Sequence, residues 1–156
     1  MGWTSPALIE PELKVDTSTQ VIEALGALLY EQGYVRDSFV QAVLDREQVF
    51  ATGLPTPEIQ VAIPHADVEH VLKSAIALGL LHDPVEFGEM GNPEGKVSVS
   101  IVCMLAVRES DSLVSLLRDL VGILQDPAFL RQILETNDRK TIADLFNARL
   151  PTHQED

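Results

Sequence analysis

The apolar residues of this chain change their spacing twice, and that change limits the fold more than any other feature. From Thr17 to Gln32, Val21, Ile22, Leu25, Leu28 and Leu29 recur at three- and four-residue steps, with Gly33 placed for a left-handed cap. A second helix is expected from Asp37, read as its N-cap, to about Phe50, with Phe39, Val40, Val43 and Leu44 on one face. Residues 51–60 hold Gly53, Pro55 and Pro57 and read as a loop. The period then shortens. Val61 to Ile63, Ser74 to Leu81 and Lys96 to Val107 are short apolar or alternating runs rich in β-branched residues, and so are strand candidates. Gly88, Gly91, Pro93 and Gly95 interrupt the last two, which predicts an antiparallel pair joined by a turn or loop. Helical spacing returns with Leu113, Leu116, Leu117, Leu120 and Leu124 behind a Ser110-Asp111 cap, then after Asp126-Pro127, then over Lys140 to Leu150.

Helices, clustered strands and helices again predict a single α/β domain, a mixed β-sheet with helices packed on both faces. The expected boundaries are an amino-terminal arm over 1–11, the domain over 12–150 and a polar tail over 151–156. A chain of 156 residues, 46% of them apolar, can fill such a core without disulfides. With 11 basic against 24 acidic residues the formal charge is −13, which disfavours nucleic acid and anionic lipid as partners. Cys103 is the one cysteine, so an internal disulfide is impossible and a reducing cytoplasm is the expected setting. No apolar stretch reaches the roughly 18 residues that span a bilayer.

The segment from Leu44 to Leu72 carries the chemistry: Leu-Asp-Arg-Glu at 44–47, Ala-Thr-Gly-Leu at 51–54 and Val-Ala-Ile-Pro-His-Ala-Asp at 61–67. These residues resemble the enzyme IIA components of the bacterial phosphoenolpyruvate:sugar phosphotransferase system, of the fructose/mannitol superfamily. The resemblance covers nearly the whole chain. It implies phosphorylation of His65, in the Ile-Pro-His motif, by the phosphocarrier HPr, and onward transfer to a cysteine of a IIB component. The membrane IIC component would be reached only indirectly, and no metal or cofactor is implied.

An imidazole suits that task because one ring nitrogen is unprotonated near neutral pH, and the other nitrogen's hydrogen bond decides which one reacts. Arg46 offers a planar fork of donors to phosphoryl oxygens, although an arginine near a helix carboxyl end also complements the macrodipole. Thr52 is a candidate hydroxyl contact, with a local turn cap as the alternative. His70, five residues after His65, is either a partly exposed surface residue or, by resemblance to the galactitol-like branch, an orienting or phosphoryl-contacting group. His65, Asp67 and His70 have only weak metal-ligand spacing. Where mannitol-like members place a second active-site histidine, this chain has Ser112, whose hydroxyl cannot carry positive charge. The loop between Arg46 and His65 is also longer, as in the galactitol-like branch, which favours a sugar alcohol. Cys103 reads as a small core residue, Leu54, Val61 and Ile63 either as an apolar docking rim or as core residues, and His82 and His153 as incidental.

A rival reading is a regulatory module of the same fold whose phosphorylated His65 signals nutrient state. Another is a binding domain that kept the shape and lost the relay.

Overall fold

The computed structural model describes residues 2–151, so His153 and most of the expected polar tail lie outside the described residues. Five strands, β1 (Ile9–Leu13), β2 (Gly53–Leu54), β3 (Gln60–Ala62), β4 (Ala75–Glu89) and β5 (Asn92–Ala106), form one mixed sheet. Five helices accompany them: α1 (Ser18–Glu31), α2 (Phe39–Val49), α3 (Ser110–Leu124), α4 (Pro127–Glu135) and α5 (Arg139–Arg149). Among the described residues no helix is long and apolar enough to cross a membrane.

The spine of the sheet is the β4–β5 hairpin, antiparallel from Ala75↔Ala106 to Glu89↔Asn92. Its turn is only Met90-Gly91, with Gly91 at φ +77, so Gly88, Pro93 and Gly95 lie inside strands where a loop was expected. β1 adds parallel to β4, and β3 adds parallel to β5 with Val61 opposite Ile101. β2 pairs antiparallel with β3 and touches the far end of β4 at Gly53↔Glu89.

Alternation along the strands, shifted once where the register slips between Leu80 and Val85, divides the interior in two. Val61, Ile63, Ile76, Leu78, Ile101, Cys103 and Leu105 face α3, α4 and α5, where they meet Leu116, Leu120, Leu130, Ile133 and Phe146. Ala62, Ala77, Val102 and Met104 face the other way, against Val21, Ile22, Leu25 and Leu29 of α1 and Phe39 and Val43 of α2. Helices therefore cover both faces of the sheet, as the change of spacing predicts.

Local chemistry explains most element ends. Thr17 and Gln20 form a reciprocal capping box at α1, and Gly33 sits beyond its end at φ +81. Asp126 accepts from the amides of Ala128 and Phe129, with Pro127 at the first helical position. Two expected caps are corrected. Ser38, not Asp37, precedes α2 and its hydroxyl is bonded to His70; Glu109 precedes α3, with no side-chain cap from Ser110 or Asp111.

The amino-terminal arm is also corrected. Ile9–Leu13 is a strand, and Trp3 is buried with its indole N–H on the Pro151 carbonyl at 2.9 Å. Pro11 hides this strand from a sequence pattern; it is tolerated because β1 is an edge strand whose register slips between Glu10 and Leu13.

Candidate phosphoryl-transfer site

His65 stands just past the carboxyl end of β3, beside the end of β5, where the Leu105 amide bonds the Pro64 carbonyl at 3.0 Å. Carboxyl ends of parallel strands are where open α/β sheets present ligand sites. The residue as a whole is buried, with 6% of its surface exposed. Its Nδ1 lies 2.9 Å from the Ile63 carbonyl oxygen. A carbonyl only accepts, so Nδ1 carries the proton and Nε2 of the neutral ring keeps its lone pair. Burial pushes the imidazole below its ordinary 6.5; the bond to Ile63 opposes this, Arg46 adds to it, and Asp67 opposes it.

Arg46 projects from the last turn of α2. One terminal nitrogen lies 3.7 Å from an Asp67 carboxylate oxygen, and the guanidinium sits over the Phe50 ring, 5.1 Å from its centre. The arginine is 35% exposed in its side chain, yet its Nε is buried without a hydrogen-bond partner. The fork is therefore only partly used, and what remains is donor capacity near enough to His65 to act on its charge.

The next residue, Glu47, fixes where that helix end sits. Its carboxylate accepts from the Thr52 amide and the Thr52 hydroxyl, both at 2.8 Å, while the Thr52 carbonyl accepts from the Ile63 amide at 3.3 Å. Burial raises the Glu47 carboxyl above its ordinary 4.5, against the lowering effect of the two Thr52 bonds and of Arg46. Arg46 and His65 are thus joined through α2, Glu47, Thr52 and Ile63. Thr52, read as a phosphoryl contact or a local cap, donates a hydrogen bond from its hydroxyl to Glu47 and so forms the link in this chain.

The remaining candidates are placed apart. His70 bonds Ser38 through Nδ1 at 2.8 Å, at the amino end of α2, while Arg46 lies about two turns away at the other end. Ser112 is exposed in the first turn of α3, which begins a few residues beyond the β5 end that flanks His65. Val61 and Ile63 are fully buried core residues, and so make no docking rim; Leu54 is half-buried, and the exposed apolar residues beside Arg46 are Val49 and Phe50. Cys103 is buried with its thiol pushed up to about 12, the inert core residue expected. His82 pairs with Glu12 at 3.0 Å. Among the described residues no three His, Cys, Asp or Glu side chains are grouped to hold a metal.

Sequence reasoning missed Glu47 and the pairing role of Asp67. Both were quoted within motifs, but only the folded chain brings them to Thr52 and Arg46.

Comparison with known proteins identifies the family. Residues 4–149 match the family described as phosphoenolpyruvate-dependent sugar phosphotransferase system, EIIA 2. The chain belongs to that family: it is an EIIA-type phosphoryl carrier, a phosphotransferase component of sugar or polyol systems. The galactitol-specific EIIA component of Escherichia coli K12 is 33% identical over 120 residues, covering 77% of this chain and 79% of that protein. The transcriptional regulator ManR of Bacillus subtilis is 35% identical over 138 residues, which is 86% of this chain but only 20% of the regulator. Among solved structures, the Escherichia coli complex of enzyme IIAMTL with phosphorylated enzyme IIBMTL aligns with a TM-score of 0.75 at 26% identity, covering 91% of this chain and 95% of that one.

Proposed function

We propose that His65 accepts a phosphoryl group on Nε2 from the phosphohistidine of HPr and passes it to a cysteine of a IIB component, in a cytoplasmic relay serving uptake of a sugar alcohol of the galactitol type. The observation that carries this reading is the Nδ1 bond to the Ile63 carbonyl, which leaves Nε2 as the nucleophile of the ring. In the step, the Nε2–P bond forms as the donor's N–P bond breaks. The donor nitrogen keeps the electron pair of the broken bond, and the positive charge the attack places on the His65 ring is the charge the donor ring gives up. The Ile63 carbonyl continues to accept the hydrogen bond from Nδ1–H and so stabilises that charge. Arg46 donates to the equatorial oxygens, where charge spreads in a loose in-line transition state.

Galactitol is favoured by the relative that this chain covers to 79% of its length. The IIB partner is supported by the neighbour solved with phosphorylated IIB. Phosphorylated protein mixed separately with soluble galactitol-type and mannitol-type IIB should label the galactitol-type cysteine faster; equal or reversed rates would contradict the substrate class.

A regulatory role of the same phosphorylated His65 draws support from the identity to ManR. It shares every step up to the acceptor and predicts no labelling of either IIB.

A further inference from the structure

We infer that Asp67 is a positioning residue for this reaction: its carboxylate holds the Arg46 guanidinium while the His65 ring is bare and yields it to the arriving phosphoryl group. The inference rests on His65 as the phosphoryl acceptor and goes beyond it in naming what occupies the arginine between turnovers.

The pair has the geometry of a loose hold. Charge-assisted bonds between guanidinium and carboxylate close to about 2.7–2.9 Å and use two donors. Here one terminal nitrogen stands 3.7 Å from one Asp67 oxygen, and Nε, buried, has no partner. Asp67 itself is 73% exposed, so its carboxylate is well hydrated and gives up the arginine at small cost. A phosphoryl group carries close to two charges and three acceptor oxygens, so it outcompetes a single exposed carboxylate for the same fork.

Asp67 also lies two residues from His65 and acts on that ring's charge. Once the Nε2–P bond has formed, the carboxylate faces the net negative charge of phosphoryl group plus ring. It therefore favours the bare state twice over, by attracting Arg46 there and by repelling the phosphoryl group in the other state. When the Nε2–P bond breaks and the acceptor takes phosphorus, Nε2 keeps the electron pair and Arg46 returns to Asp67.

The direct test is the phosphorylation equilibrium set by the phosphoenolpyruvate-to-pyruvate ratio in the presence of enzyme I and HPr, with phosphorylated His65 read by 31P NMR. Asp67→Asn should half-fill at a ratio roughly two- to fivefold lower than the wild type, the size of one partly exposed charge pair. Asp67→Glu should restore much of the wild-type value, and in an Arg46→Gln background the Asp67→Asn shift should shrink. An unchanged midpoint, a shift toward the bare form, or an equal shift with Gln at 46 would overturn the hold on Arg46 while leaving His65 as acceptor. A wild type that takes no phosphoryl group would overturn the His65 reading itself, and this inference with it.

Discussion

One backbone carbonyl selects the chemistry of His65. Because the Ile63 carbonyl accepts a hydrogen bond from Nδ1–H, the neutral ring has one tautomer, and because burial lowers its pKa, that neutral form persists below pH 6.5. The same depression ties stability to pH. The unfolded chain binds a proton at this position from about 6.5 downward while the folded chain resists it, so folding free energy declines as pH falls through that window. Urea titrations between pH 7 and 5 should show this decline, and His65→Gln should flatten it; identical slopes for both proteins would remove His65 as the cause. Arg46→Lys keeps the charge and loses the fork, so phosphoryl acceptance should slow by roughly tenfold or more in rapid-quench measurements. An unchanged rate would return Arg46 to a helix-dipole role.

At the scale of elements, the site depends on how the carboxyl end of α2 is tied to the loop before β3. Glu47 and Thr52 make that tie with two hydrogen bonds to a buried carboxylate. Thr52→Val removes the hydroxyl donor and should cost about 1–3 kcal/mol of stability by urea denaturation, with slower phosphoryl acceptance as Arg46 loses its register. Normal stability and rate together would show that the backbone amide bond suffices. The helices were legible because Leu25, Leu29, Leu116 and Leu120 repeat at the period of the surface they bury, and β4 and β5 were legible in their apolar halves. Edge strand β1 was not, since Glu10, Pro11 and Glu12 carry no apolar alternation, and two-residue β2 is held by pairing rather than by composition. Likewise His65 and Arg46 stand out as a motif, whereas the bonds of Thr52, Asp67 and His70 depend on segments that meet only in the folded chain.

Over the whole molecule, two cores on opposite faces of one sheet pack the strands and helices whose ends flank the buried His65. The chain as a whole carries a formal charge of −13, so a basic partner should be steered toward it. Raising salt from about 0.05 to 0.5 M, which shortens the screening length to a few ångströms, should lower the association rate with HPr several-fold; a salt-independent rate would show that contact, not field, governs encounter. The central claim is tested most directly by incubating wild-type and His65→Ala protein with phosphoenolpyruvate, enzyme I and HPr and weighing the intact chains. Wild type should gain one acid-labile, base-stable phosphoryl group and the folded His65→Ala protein none; a phosphorylated His65→Ala chain would contradict the account.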